Sequence, residues 1–165
     1  MILRLTKIAL VAAVAFFYTL VVFNNLTDYR SNYQFVQHVL SMDTTFPGNR
    51  GMWRALHQPL LQTIFYNGII GWEGVTMLLT WMGGFQLMLR VRKPAVDFNA
   101  AKRLSIVALT TGMLLWFVAF ISVGGEWFLM WQSKLWNGQE EAFRMFTILG
   151  IVLALLVLPD TEAQC

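Results

Sequence analysis

The chain has 165 residues, of which 57% are hydrophobic and only 13% are charged, whereas a soluble domain has roughly 45–50% apolar and about 25% charged residues. Its polar residues are too few to cover a globule in water, so the composition excludes an ordinary soluble domain and predicts that lipid is the solvent. The single cysteine, Cys165, excludes a disulfide framework, and the net charge of +3 comes from basic residues beside apolar runs, not from a stripe for nucleic acid.

Four apolar runs are each long enough to cross a ~30 Å hydrocarbon core as a helix. The first run follows Arg4 and Lys7 and lacks a small-residue cleavage site after Phe23, so we interpret it as an uncleaved anchor. The second begins at Pro59, where a first helical turn tolerates proline, and the fourth stops at Pro159. The sequence therefore predicts an all-α membrane protein, a four-transmembrane-helix bundle in one domain over 1–165, with spans at about 5–23, 59–89, 104–128 and 142–158.

The basic residues predict the orientation of the bundle. Four spans place both termini on one side, and the side richer in Lys and Arg is cytoplasmic. We therefore expect a protein of the bacterial inner membrane with the N-terminus and C-terminus inside and the loop 24–58 outside. Seven of the 12 basic residues lie in the N-terminus and the second connection: Arg4, Lys7, Arg90, Arg92, Lys93, Lys102 and Arg103.

The outer loop 24–58 is too long for a passive connection between bundle helices, which normally takes about 2–8 residues. Ser31 and Gln34 have the spacing of a capping box, and the residues after them alternate between an apolar and a polar face. We predict an ordered loop with a short amphipathic helix over about 31–42 and a second short helix over 52–57. The apolar face of the first helix contains Phe35, Val36, Val39 and Leu40.

This loop also carries a family resemblance. The stretch DYRSNYQFVQHVLSMDTTFP, residues 28–47, resembles the signature of an uncharacterised family of predicted small bacterial integral membrane proteins, and the four-span layout and length are similar too. The resemblance implies family membership and a membrane location. It implies no reaction and no catalytic residue, although some relatives resemble immunity partners of secreted toxins.

Glu73 is the one acid deep inside a predicted span. It lies ~21 Å from Pro59 along a helix, near the expected bilayer centre, where an ionised carboxylate costs at least about 2.5 kcal/mol. Arg144 would lie ~15 Å away in depth, too far for a direct ion pair. We interpret Glu73 as protonated and hydrogen-bonded to Thr110 or Thr111, which lie near its level. The alternatives are an ion or proton path and a ligand or partner site.

Three glycines on the same predicted helix form a small-residue stripe, Gly68, Gly71 and Gly74. Small residues allow close helix contacts in lipid, so we predict that the stripe packs within the bundle, with a homo-oligomer face as the alternative. Gly83 and Gly84, near the inner end, are expected to loosen that helix.

The sequence contains no catalytic motif, and we predict neither an enzyme nor a bound cofactor. His38 and His57 are the only histidines, and two loop histidines without a nearby cysteine do not form a metal site. His38 with Asp28 and Asp43 is expected to form a polar knot that stabilises the loop.

These observations favour a non-enzymatic interaction protein. The lipid bilayer surrounds the bundle, and the outer loop binds a periplasmic or membrane protein partner, in the sharpest form as an immunity protein against a membrane-targeting toxin. One alternative is an accessory subunit of a larger, respiratory-type membrane complex, and another is a small ion or proton carrier using Glu73. Aromatic and arginine side chains dominate binding surfaces, and the candidate partner-binding residues are Tyr33, His38, Trp53 and Arg54.

Overall fold

The computed structural model describes residues 1–161, which form helices and connecting turns without a β-strand. The predicted all-α fold is therefore confirmed, and Cys165 lies outside the described residues. One long helix changes its winding, since α4 continues directly as a π-helix over Leu115–Trp127. The helices are α1 (Ile2–Thr27), α2 (Tyr29–Ser41), α3 (Pro59–Arg90), α4 (Ala95–Leu114) and α5 (Gln139–Val157), with 3₁₀ turns at Met52–Arg54 and Met130–Gln132.

The four long helices pack side by side. Helix α3 contacts both α1 and α4, and α5 contacts α4, the π-helix and α1. The interior is apolar, and so is much of the outer surface, where Phe16, Phe85 and Phe143 are exposed. Helix α1 and the continuous segment Ala95–Trp127 have the length and hydropathy needed to cross a membrane.

The chain covers one end of this bundle with a folded layer, here called the cap, made of residues 28–58 and 128–138. The opposite end, with the start of α1, the α3–α4 turn and the end of α5, is here called the base. The cap has a hydrophobic core of its own, to which α2 contributes its apolar face. That core contains Val36, Val39, Leu40, Met42, Tyr66, Phe128 and Met130.

The predicted amphipathic helix is confirmed as α2, but its start is corrected. It begins at Tyr29, directly after Asp28, and the predicted capping box does not form. The Ser31 hydroxyl instead donates to Asp28 Oδ2 at 2.8 Å. Helix α1 ends at Thr27, so Asp28 alone separates it from α2.

The predicted second helix over 52–57 is wrong, because only the turn Met52–Arg54 is helical. Ala55 is already extended, and the Leu56 amide donates to Leu40 O at 2.8 Å. The backbone thus bonds to the end of α2 instead of continuing its own helix. The side-chain amide of Gln62 then donates to Leu56 O at 2.8 Å, which ties this segment to α3.

The predicted packing of Gly68, Gly71 and Gly74 within the bundle is also wrong. A Cβ atom added at any of the three would meet nothing within 4 Å. Glu73 faces the interior, and its neighbours in sequence lie about 100° around the helix, so the stripe turns away from it. The close approach occurs instead at Gly83, where an added Cβ would lie 2.5 Å from Ser105 Oγ and 2.8 Å from Ser105 N. Gly83 therefore lets α3 and α4 pack tightly and does not loosen the helix.

Candidate functional site

Glu73 is buried in the cap half of the bundle, with 3% of its surface exposed. Asn25 donates from Nδ2 to Glu73 Oε2 at 2.6 Å, and this is the only hydrogen bond to Glu73 among residues 1–161. Asn25 lies two residues before the end of α1 at Thr27. Glu73 is therefore level with the cap end of α1 and lies near the middle of α3.

Helix α3 projects past α1 at the cap end. Its first part, from Pro59 to Tyr66, lies beside the cap, where the Tyr66 ring meets Tyr29 edge-on at 4.7 Å. Counting from Pro59 therefore starts outside the part of α3 that packs on α1. The distance from Glu73 to Arg90 at the base end of α3 is ~26 Å along the helix.

The predicted hydrogen bond from Glu73 to a threonine is wrong as well. Thr111 lies near the expected level, since its carbonyl accepts a hydrogen bond from the Trp72 indole at 3.0 Å. Its hydroxyl, however, donates to Val107 O in its own helix at 2.8 Å, and Thr110 is exposed. Arg144 is exposed too, and no ion pair within the described residues includes it or Glu73.

Asn25 joins three helices through one side chain. Its Oδ1 atom accepts hydrogen bonds from Asn32 Nδ2 at 2.7 Å and from the Tyr66 hydroxyl at 3.1 Å. These two donors set the orientation of the amide, which leaves Nδ2 to donate to Glu73. The sequence places these residues on the last turn of α1, the first turn of α2 and the cap part of α3, so the network forms only when the cap is docked.

Beside this network lies a cavity of about 410 Å³, bounded by α1, α2, α3, the π-helix and the start of α5. Glu73 lies inside it, and the rim is polar and exposed. The Trp116 indole, which belongs to the π-helix, donates to the buried Tyr18 hydroxyl at 3.0 Å and is thereby held in place. Aromatic walls come from Phe35, Tyr66, Trp116 and Phe120, and the rim contains Asn24, Asn32, Asn137 and Glu141.

The chemistry of this cavity is that of a binding site. It offers one buried carboxylate, amide groups and aromatic faces, which are groups that can contact a ligand. In the part of the chain that the structure describes, no group of three His, Cys, Asp or Glu could hold a metal ion. We call it the Glu73 cavity.

Two of the predicted partner-binding residues meet at the cap surface. Trp53 is 75% exposed, and its ring meets Trp127 edge-on at 5.7 Å. The Arg54 guanidinium lies over both rings and donates from Nη1 to Trp127 O at 2.9 Å. Arg54 thus ties the cap to the end of the π-helix, whereas the Trp53 ring stays mostly exposed.

The other two predicted residues lie elsewhere in the cap. Tyr33 is half-buried and stacks on Tyr29 at 5.9 Å. His38 Nδ1 lies 2.7 Å from Asp43 Oδ2, and its ring stacks on Trp136 at 4.5 Å. The polar knot of His38 with Asp43 is confirmed, but Asp28 contacts Ser31 instead.

A second polar cluster closes the base. Asp160 Oδ2 lies 2.6 Å from Lys102 Nζ and 2.8 Å from Lys7 Nζ, and both ammonium groups also donate to Leu158 O. Asn99 completes it, because its side-chain amide donates to Asp160 O at 2.9 Å and accepts from Asp160 N at 3.0 Å. Burial alone would raise the pKa of Asp160, but the hydrogen bonds from Lys102 and Lys7 leave this pKa below its ordinary value. We call this cluster the base clasp.

Residues 3–159 match a family described as predicted small integral membrane protein (DUF2165). The chain belongs to this family. The resemblance drawn from the 28–47 stretch is thereby confirmed, and with it the description as a membrane protein. No curated protein and no solved structure matches the chain.

For this member of the family, sequence reasoning missed the partners of both clusters. Sequence spacing alone pairs neither Asn25 with Glu73 nor Asp160 with Lys7 and Lys102. A usable signal exists for the second, since Asp160 is an acid directly after Pro159 on the side with most basic residues. For the Glu73 cavity no comparable signal exists, because its residues come from distant segments.

Proposed function

We propose that the chain is a non-enzymatic four-span protein of a bacterial inner membrane, with both termini in the cytoplasm and the cap in the periplasm. The lengths of α1, α3, the segment 95–127 and α5 support this, because they contain 26, 32, 33 and 19 residues. At ~1.5 Å per residue each approaches or exceeds a ~30 Å core. The positively charged base supports the orientation.

Reporter fusions test this topology. A fusion after Arg92, in the α3–α4 turn, is expected to be active only as a cytoplasmic reporter, and a fusion after Asn49 only as a periplasmic one. A fusion after Lys134 is the matched control for the cap and should behave as the Asn49 fusion does. Periplasmic activity at Arg92 or cytoplasmic activity at Asn49 would reject the proposed orientation.

The proposed function is the binding of a protein partner by the cap. The observation that supports it is that hydrogen bonds tie the cap surface together while large apolar side chains remain exposed on it. Its loops are tied by the Arg54 side chain and by the Phe46 amide, which donates to Gln132 Oε1 at 3.0 Å. Exposed apolar groups on such a fixed surface are typical of interaction sites. They include Trp53, Phe46, Trp127, Trp131 and Leu135.

Affinity capture from the native membrane after chemical crosslinking, followed by mass spectrometry, tests partner binding. Trp53→Ala is expected to reduce recovery of the partner at least about fivefold while the Tm in detergent stays unchanged, since the ring is mostly exposed. Phe85→Ala is the matched control, because it removes an equally exposed aromatic ring from the side of α3 and should leave recovery unchanged.

Val39→Asp provides the opposite control. It places a charge in the cap core and is expected to lower both the Tm and partner recovery. Recovery of the same partner at equal yield from wild type, Trp53→Ala and Phe46→Ala would contradict binding by this surface.

The identity of the captured partner separates the finer proposals. An immunity protein predicts a secreted, membrane-targeting toxin, and expression of the chain should then protect cells from that toxin. An accessory subunit predicts stable co-purification with a larger, respiratory-type membrane complex. We propose immunity as the sharper form, and capture of a secreted toxin would support it.

A specific observation supports a second candidate function, that of a small ion or proton carrier. Buried polar groups continue from Glu73 along one face of α3 through Thr76 and Thr80, and Ser105 faces Gly83 below them. Proteoliposomes with an internal pH-sensitive dye test it. A carrier predicts proton flux that Glu73→Gln abolishes and that Thr110→Val, at an exposed position, leaves intact. Equal flux in wild type and Glu73→Gln would reject this candidate.

A further inference from the structure

The Glu73 carboxylate has no cationic partner in the described chain. It is almost fully buried, and its Oε2 atom accepts one hydrogen bond from a neutral amide. An ionised carboxylate that has lost its water is stabilised by a nearby cation, and without one it carries a large desolvation cost. Because the acid lines a cavity with a polar rim, a cation from outside the chain can reach it.

The walls of the cavity indicate which kind of cation fits. Trp116 and Phe120 lie with their ring centroids 4.8 Å apart, and Tyr66 and Phe35 complete an aromatic lining. Aromatic faces attract organic cations through the ring quadrupole and are the usual lining of sites for ammonium groups. The volume of about 410 Å³ falls within the range of small-molecule sites.

Other ligand classes fit these residues less well. A divalent metal ion requires about six oxygen ligands, whereas the only carboxylates lining the cavity are Glu73 and, at the rim, Glu141. An anion would meet two acids and no basic side chain in this lining. A purely apolar ligand would leave the buried carboxylate without compensation.

We propose that the Glu73 cavity binds a small organic ammonium ion, with the carboxylate of Glu73 as the counter-ion and the rings of Trp116 and Phe120 as the aromatic wall. Glu141 at the rim attracts the same cation on entry. This inference goes beyond partner binding by the cap and does not depend on it. Two sources supply such a group beside a membrane, a free amine and the ethanolamine headgroup of a phospholipid.

Binding of benzylammonium to the full chain in nanodiscs tests the proposal, with benzyl alcohol as the neutral isostere. In nanodiscs of pure phosphatidylglycerol, benzylammonium should bind to wild type and benzyl alcohol should not. Glu73→Gln keeps the shape and the hydrogen bond from Asn25, so it should retain the Tm while weakening benzylammonium binding at least ~10-fold. Phe120→Leu, a second variant that leaves the acid in place, should weaken binding by about 3-fold or more.

Glu140→Gln is the matched control, since Glu140 neighbours Glu141 on α5 but does not line the cavity, and it should bind as wild type does. Repeating the titration with half phosphatidylethanolamine distinguishes the sources. Unchanged affinity indicates a free amine as the natural ligand, and competition by the lipid indicates the headgroup. No binding to wild type in pure phosphatidylglycerol, or equal binding to wild type and a folded Glu73→Gln, would overturn the proposal.

Discussion

The base and the cap of this bundle both bury a carboxylate, but they compensate its charge differently. At the base, Asp160 has two ammonium groups within 2.8 Å, and Asn99 holds its backbone. In the cap half, Glu73 has only the amide of Asn25. A charge that the chain compensates itself contributes to the fold, whereas a charge left without a counter-ion beside a cavity is available to a ligand. The comparison therefore supports a structural role for the base clasp and agrees with the binding role proposed for the Glu73 cavity.

The largest expected effect comes from a substitution that breaks the base clasp. Asp160→Asn removes the negative charge from Lys102 and Lys7, and Lys102 is only 2% exposed. Removing one partner of a buried ion pair costs about 3–5 kcal/mol, so we expect a loss of this order in the free energy of unfolding, measured by detergent titration. Asp97→Asn is the matched control at the same end, since Asp97 is an exposed acid in the first turn of α4. Equal losses in both variants would contradict a clasp.

The next effect compares two glycines of α3. Gly83→Ala forces a Cβ against Ser105, and because its nearest contacts include backbone atoms, we expect a loss of about 1–3 kcal/mol. Gly71→Ala meets open space and should leave stability unchanged or raise it by about 0.5–1 kcal/mol through helix propensity. Tm values of the two variants in the same detergent check this. A larger loss for Gly71→Ala would mean that the stripe packs against another molecule.

A smaller effect is expected at Glu73 itself. Glu73→Leu leaves Asn25 Nδ2 without an acceptor in a buried site, which costs about 1–3 kcal/mol. Glu73→Gln retains an acceptor oxygen and should lose less than about 1 kcal/mol. Thermal unfolding of both variants measures the difference. If Glu73→Gln lost as much stability as Glu73→Leu, the carboxylate charge would itself hold the fold, and the contrast with the base would disappear.

The smallest expected effect is the pH dependence of the stability that the base clasp contributes. The pKa of Asp160 is lower in the folded chain than its ordinary value of 3.8, so its stabilisation is fully present above about pH 4 and is lost as the pH falls through the folded pKa. The stability difference between wild type and Asp160→Asn should therefore shrink as the pH falls below about pH 4. A difference that stays unchanged from about pH 5 to 3 would contradict this assignment.

The helices were predictable because their signals are local. The apolar runs gave the long helices to within a few residues at most ends, and the apolar face of α2 was read from spacing alone. Helix α4, the third predicted span, was the exception, since it begins at Ala95 and not near 104. Its first turns are polar and contain Lys102 and Asn99, which belong to the base clasp. A hydropathy profile does not detect helical turns that are stabilised by polar contacts.

The contacts of Glu73 and of the glycines were not predictable in the same way. Thr111 has the correct level but the wrong face, and Gly68, Gly71 and Gly74 have suitable spacing on a face that no part of residues 1–161 covers closely. Counting residues gives the height of a side chain along the bundle. The direction in which the side chain points depends on how its helix is rotated against its neighbours. A rotation of one residue, about 100°, exchanges an interior position for an exposed one.

The sequence by itself determined that the protein belongs in lipid, that it is helical and which family it belongs to. Composition, hydropathy and the 28–47 stretch can all be recognised without knowing which residues meet in space. Only the tertiary structure decided that α3 projects past α1, that Asn25 meets Glu73, and that Asp160 closes on Lys7 and Lys102. Each of these contacts joins residues at least 48 positions apart. Such contacts depend on the rotation and relative shift of packed helices, which the whole set of buried side chains sets together.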